Sequence, residues 1–291
     1  MSNTVGKTKG HSDGSAENVL GAFISDIDLS SPLSKDQIQF IKSTWYEHLV
    51  IVFRNQELSD DNLVCFAQLF GDLHSADGAE YGGKPKGLHD SIELISNIEH
   101  QGRPIGALGA DEATWHTDMS MYDVPAAATM LYADEIPSAG GNTRFTNLYI
   151  AYETLPNDLR DLVESRRSIH DHAYLASGGV RPGFEAVTDK SKGPGARHPV
   201  VRTHPVTGRK SLYLGRFGNG YIEGFSVEES DLLIKQLWEH MTRPEFIWEH
   251  EWCVGDLIMW DNRCVAHARA SFDATERRLL RRITVKGEIP V

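Results

Sequence analysis

The sequence predicts a mainly β fold with flanking helices, a double-stranded β-helix (jelly-roll) barrel. Many short runs rich in β-branched and aromatic residues are separated by Gly-, Asn- and Asp-bearing turns. Helical periodicity is concentrated outside the middle of the chain, and no internal repeat or linker divides its 291 residues. Large all-β barrels commonly occupy this length as one domain, so one domain is expected over 19–291.

Residues 1–18 are polar and rich in Gly, Ser and Lys, which predicts a disordered tail. A short strand is expected between Gly21 and Leu29. Ser34 can cap a helix that carries Ile38, Ile41, Trp45 and Leu49 along one side. The continuous apolar run from Leu49 to Phe53 reads as a buried strand. Ser59 opens a second helix, stopped by Gly71. The Gly-rich stretch from His74 to Asp90 is too long for an idle turn, and such loops often bind ligands. Strands are expected over Ile92 to Ile98, Ala128 to Ala133 and Thr143 to Asn147. Two short helices then run from Tyr149 to Leu155 and from Asp158 to Ser165. Gly178 to His198 reads as a surface insertion. Pro199 to Arg202 and Ser211 to Leu214 read as a strand pair around a Thr207-Gly208 turn. Ser226 and Glu229 form a capping box for a helix that ends by Pro244. Three more strands close the chain: Glu249 to Cys253, Asp256 to Trp260 and Leu279 to Lys286.

Composition excludes several functions. The formal net charge is −12, which disfavours a nucleic-acid partner, since phosphate binding needs a basic face. No apolar run is long enough for a membrane span, and no apolar signal core is present, so a cytoplasmic protein is expected. Cys65, Cys253 and Cys264 show no CxxC spacing. They suggest neither a disulfide framework nor a zinc site, and buried thiols are expected.

The stretch Trp115-His116-Thr117-Asp118 carries the first chemical signal. In an extended segment His116 and Asp118 point the same way, as two members of a 2-His-1-carboxylate iron(II) site would. Alone, such a pair is more often surface polarity or a hydrogen-bonded couple. His267, after an apolar strand and a turn, reads by itself as a satisfied core histidine. The run from Arg277 to Thr284 changes the balance. Period-2 alternation puts Arg278 and Arg282 on one face, Arg277 and Arg281 on the other. Leu279, Leu280 and Ile283 interrupt both faces, so neither is simply solvated. An inward guanidinium demands an anion, and no Asp or Glu lies between Arg277 and Lys286. A partner from elsewhere in the fold remains the structural alternative for Arg282.

These motifs together resemble the taurine dioxygenase-type iron(II)/2-oxoglutarate-dependent dioxygenases. The resemblance rests on His116-x-Asp118, Gly140-Gly141-Asn142-Thr143, Trp260-Asp261-Asn262-Arg263 with His267, and Arg278. The tracts VGDLIMWDNRCVAH and RRLLRR are most similar to the 2,4-dichlorophenoxyacetate dioxygenases within that family. The resemblance runs from about Gly21 to the C-terminus. It implies that His116, Asp118 and His267 bind iron(II). It implies that Thr143 and Arg278 hold the distal carboxylate of 2-oxoglutarate, and that Arg282 takes the acidic group of the substrate. It places Trp260 near the metal. Dioxygen would be consumed, ascorbate would stimulate turnover, and a homo-oligomer is expected. The histidine that helps bind taurine falls at Ala76, which argues against taurine itself. The implied function is hydroxylation of a small anionic substrate such as an aryloxyalkanoate-like carboxylate, with ether cleavage where the carbon bears oxygen. Alternatives are a taurine or alkylsulfonate dioxygenase, a biosynthetic amino-acid-type hydroxylase and a non-catalytic jelly-roll binding protein.

Overall fold

The computed structural model describes residues 6–10, 20–76 and 85–291. Two sheets dominate it. The larger has eight strands in the order Lys7–Gly10, Ala22–Ser25, Val50–Phe53, Leu257–Asp261, Ala126–Glu135, Leu279–Lys286, Glu93–Ser96 and Ala107–Leu108. Its pairings are antiparallel except at Ala22–Ser25 with Val50–Phe53 and at Glu93–Ser96 with Ala107–Leu108. The smaller sheet is antiparallel, in the order Ile247–His250, Thr143–Asn147, Val265–Arg269, Ala113–His116.

The apolar runs are continuous because the large sheet is covered on both faces. Ile51, Phe53, Met130 and Met259 pack with Ile41, Trp45, Leu63 and Phe66 from the two N-terminal helices. The alternate residues Val50, Val52, Leu131, Ile258 and Leu280 pack toward Phe145, Trp248 and Val265 of the small sheet. Ala266 and Leu148 join Leu233, Leu237 and Trp238 of the helix Val227–Met241 in a third cluster. The result is helix, sheet, sheet, helix. Functional side chains in the space between the two sheets are therefore shielded from water.

The helices begin where their caps predict. Ser34, Ser59 and Ser226 each form a capping box, opening Lys35–His48, Asp60–Gln68 and Val227–Met241. The first helix ends at Leu49, whose left-handed φ of 62° turns the chain directly into the next strand. Two expectations need correction. Within the predicted tail, Lys7–Gly10 is a strand, held by antiparallel pairing with Ala22–Ser25; residues 1–5 and 11–18 lie outside the described ones. Backbone pairing at a sheet edge does not need apolar side chains, so composition could not show it. Of the cysteines, only Cys264 is buried; Cys65 and Cys253 are exposed. Among the described residues no helix is long and apolar enough to cross a membrane.

Candidate active site

His116 ends the strand Ala113–His116 and pairs in register with His267 on the neighbouring strand. Their ring centroids lie 4.2 Å apart. The Thr117 N–H donates to Gly215 O at 2.7 Å, and the chain turns at Asp118. Met119 then takes a left-handed φ of 54° and breaks the run. Asp118 Oδ1 sits 3.6 Å from His116 Nε2 and 3.9 Å from His267 Nε2. One donor atom from each of the three residues lies within 4.8 Å of the others, and all three residues are buried.

Each group is prepared as a ligand. His116 Nδ1 donates to Thr114 O at 2.7 Å, which fixes the ring with Nε2 on the side of Asp118. Burial, with His116 beside it, pushes the His267 pKa down to about 3 and keeps that imidazole neutral. Burial works against ionisation of Asp118, but His267, His116 and Arg282 around it hold its carboxyl well below the usual range. The Thr129 hydroxyl donates to Asp118 Oδ2 at 2.7 Å. Thr129 in turn accepts from Asn262 Nδ2 at 2.9 Å, and Asn262 Oδ1 accepts from Trp260 Nε1 at 2.9 Å. The Trp260 ring lies 4.7 Å from that of His267. Two imidazoles and one oriented carboxylate on one side of a buried space fit a divalent iron that keeps open positions.

A second cluster, His204, Asp261 and Cys264, does not fit a metal. His204 Nδ1 accepts two backbone N–H groups, so its proton is on Nε2, which donates to Asp261 at 3.0 Å. Asp261 is also gripped by Arg263 through two nitrogens.

Beside the first cluster lies the inner end of the space between the sheets, lined by Thr143, Arg269 and Arg278. Arg278 is 1% exposed. Among the described residues its Nε and Nη1 have no hydrogen-bond partner, and Nη2 donates only to Gly141 O at 3.3 Å. Burial and nearby Arg269 push its pKa down to about 9, as befits a cation without an anion. Gly141, at φ +67°, lies so close that a Cβ there would be 3.2 Å from Arg278 Nε. These features fit a buried carboxylate from a ligand such as 2-oxoglutarate.

Arg282 also lines this space, and it lines an outer cavity of about 260 Å³ as well, together with Ala76, Glu93, Met119, Tyr122 and Arg181. The local sequence offered Arg282 no acidic partner, but the fold does: Glu93 stands opposite it on the adjacent strand. Arg282 Nε and Nη2 both donate to Glu93 Oε2, the first at 2.9 Å, while Nη1 lies 3.7 Å from Asp118 Oδ1. Arg277 and Arg281 face away and pair with Glu135, and with Asp134 and Asp60. Sequence reasoning missed Thr129, Asn262, Glu93 and Arg269. Asn262 stood within a motif already singled out, whereas a threonine and a glutamate on distant strands gave no local signal.

Comparison with known proteins agrees with this geometry. Residues 11–284 match the family described as taurine catabolism dioxygenase TauD, TfdA family. The chain is 34% identical to the alpha-ketoglutarate-dependent 2,4-dichlorophenoxyacetate dioxygenase of Cupriavidus pinatubonensis, covering 94% of this chain and 96% of that one. It is also 34% identical to pentalenolactone F synthase of Streptomyces avermitilis, over 94% and 93%. A crystal structure of a taurine dioxygenase from Burkholderia xenovorans superposes with a TM-score of 0.79 at 30% identity, over 99% of this chain and 91% of the other. With a paired His-x-Asp and His between two sheets, and likeness along nearly its whole length, the chain belongs to the TauD/TfdA family and is an iron(II)- and 2-oxoglutarate-dependent dioxygenase.

Proposed function

We propose that this enzyme hydroxylates a small organic acid of aryloxyalkanoate type, in a jelly-roll domain spanning 19–291. The observation that carries the reading is the juxtaposition of the His116–Asp118–His267 cluster with buried Arg278 and with the outer cavity that Arg282 shares. In this reading His116, Asp118 and His267 hold iron(II). Thr143 and Arg278 hold the distal carboxylate of 2-oxoglutarate, and Arg282 faces the acid group of the substrate. Iron(II) with 2-oxoglutarate and dioxygen supplies the oxidising power, yielding succinate and carbon dioxide and placing one oxygen atom on a substrate C–H carbon. The chain's own residues then do three things. Thr129 fixes the Asp118 carboxylate, the two sheets exclude water, and the guanidinium of Arg282 orients the acid so that its neighbouring carbon points at the cluster. If that carbon bears an ether oxygen, the hydroxylated product breaks at the C–O bond.

The likeness to a 2,4-dichlorophenoxyacetate dioxygenase supports the acid class. Ala76, which lines the outer cavity, offers no imidazole for a sulfonate and weighs against taurine. A biosynthetic hydroxylase is the second reading, favoured by the equal likeness to pentalenolactone F synthase. Aerobic incubation with iron(II), ascorbate and 2-oxoglutarate, followed by succinate detection across a panel of aryloxyalkanoates, alkylsulfonates and amino acids, tests it. Succinate released above the substrate-free rate only with aryloxyalkanoates supports the proposal; release with the amino acids or alkylsulfonates instead, or with none of the panel, overturns it. Cytoplasmic location and homo-oligomeric assembly belong to the same reading and are checked by fractionation and sedimentation.

A further inference from the structure

Arg282 and Glu93 are register partners on adjacent strands, and both line the outer cavity. Arg282 spends its Nε and Nη2 on a single oxygen, Glu93 Oε2. Its Nη1 is directed to Asp118 Oδ1, 3.7 Å away. An acid entering the cavity therefore meets a guanidinium whose side edge already carries a carboxylate. To reach Arg282 it must lie against the negative charge of Glu93, an arrangement that strongly disfavours a partner of like charge. Glu93 has a second feature. Its Oε1 accepts no hydrogen bond from the described residues and is not among their buried, unpartnered atoms, so it is left accessible on a side chain that lines the cavity. A substrate that brings its own N–H or O–H beside the acid group would give Oε1 a hydrogen bond and turn the competitor into an acceptor. Arg181, lining the same cavity, adds positive charge that keeps the site attractive to acids overall.

We propose that Glu93 is a specificity-determining residue that selects acids carrying an adjacent hydrogen-bond donor over donor-free acids. This rests on the reading of the outer cavity as the substrate site, and it ranks acids within that site: analogues that carry an N–H or O–H beside the acid bind more tightly than donor-free aryloxyalkanoates, which still bind. A matched pair of probes isolates the effect: 2,4-dichlorophenoxyacetate, with an ether oxygen, and N-(2,4-dichlorophenyl)glycine, with an N–H in the same position. Binding of each is measured by calorimetry under nitrogen, with iron(II) and 2-oxoglutarate present, so that no turnover occurs. Wild type is expected to bind the N–H compound on the order of tenfold more tightly. Glu93→Gln should tighten the ether acid by a similar factor and shrink the preference, while 2-oxoglutarate affinity stays unchanged. Glu93→Asp, which keeps the charge, should restore the wild-type ranking. Equal binding of the two compounds by wild type overturns the proposal, as does the failure of both to bind. Weaker acid binding in Glu93→Gln also overturns it, since Glu93 would then only orient Arg282. Succinate formation by wild type is scored separately. Its absence defeats the proposed function, whereas an inverted ranking with normal succinate release defeats only the role of Glu93.

Discussion

The Thr129 hydroxyl donates to Asp118 Oδ2 at 2.7 Å, and this leaves Oδ1 as the oxygen that faces His116 and His267. One carboxylate oxygen is thus committed to the protein and the other to the cluster. Thr129 is itself held by Asn262, and Asn262 by Trp260, so the carboxylate is oriented by a chain of buried groups. Thr129→Val keeps the shape, removes the donor and leaves Asn262 Nδ2 without its acceptor. It is expected to lower iron(II) affinity by about 10- to 100-fold and to destabilise the fold by about 1–3 kcal/mol. Metal titration and thermal unfolding of the same preparation check both; unchanged affinity would show that the hydroxyl does not set the carboxylate.

His116→Ala removes one of the three clustered donors and the ring that packs 4.2 Å from that of His267. The variant is expected to bind less than one iron(II) per chain, to release no succinate above background, and to keep its circular dichroism spectrum. Wild-type turnover in this variant would remove His116 from the metal site.

The layered fold was legible where one rule dominates. Serine caps located the helices, Glu229 completing a capping box at the third, and apolar runs such as Val50–Phe53 located strands buried on both faces. Alternation also sorted the arginines, with Arg278 and Arg282 inward and Arg277 and Arg281 outward. What stayed illegible depends on which strands become neighbours. Glu93 lies 189 positions from Arg282, and nothing local announces that sheet order brings them together. Likewise Thr129 reads as one more β-branched residue until strand 126–135 is placed beside Leu257–Asp261. The Lys7–Gly10 strand is held by backbone pairing with Ala22–Ser25 and by an ion pair between Lys7 and Asp26, neither of which leaves an apolar alternation to read.

Arg278 and Gly141 should behave as one device. Gly141 combines a left-handed φ with an approach so tight that a Cβ, 3.2 Å from Arg278 Nε, would push the guanidinium back by a few tenths of an ångström. Gly141→Ala is therefore expected to displace the guanidinium and to raise the 2-oxoglutarate requirement. Arg278→Ala removes the cation altogether and should cost on the order of 2–5 kcal/mol in 2-oxoglutarate binding. Equilibrium binding of 2-oxoglutarate under nitrogen measures both. The glycine variant should fall between wild type and Arg278→Ala, and an unchanged affinity in the arginine variant would refute its role.

Acid sensitivity between pH 6.5 and 5 should come from buried imidazoles. Burial, with His198 beside it, holds His170 well below its ordinary value, and burial lowers His198 too. Their rings stand 4.8 Å apart, and His198 Nε2 lies within hydrogen-bond reach of Ser120 O and Tyr122 O, on the segment after Asp118. Above pH 6.5 both imidazoles are neutral in the folded and unfolded chains, so they make stability independent of pH. Below pH 6.5 the unfolded chain takes up protons that the folded chain refuses. Stability then falls as pH falls, by about 1.4 kcal/mol per pH unit for each such histidine until its folded value is reached. Between pH 6.5 and 5 the melting temperature is expected to drop steadily, and the drop should be shallower in His170→Phe, which keeps an aromatic ring but cannot bind a proton. An identical slope in the variant would assign the acid sensitivity to other groups, of which His250 and His48, also lowered by burial, are the next to test.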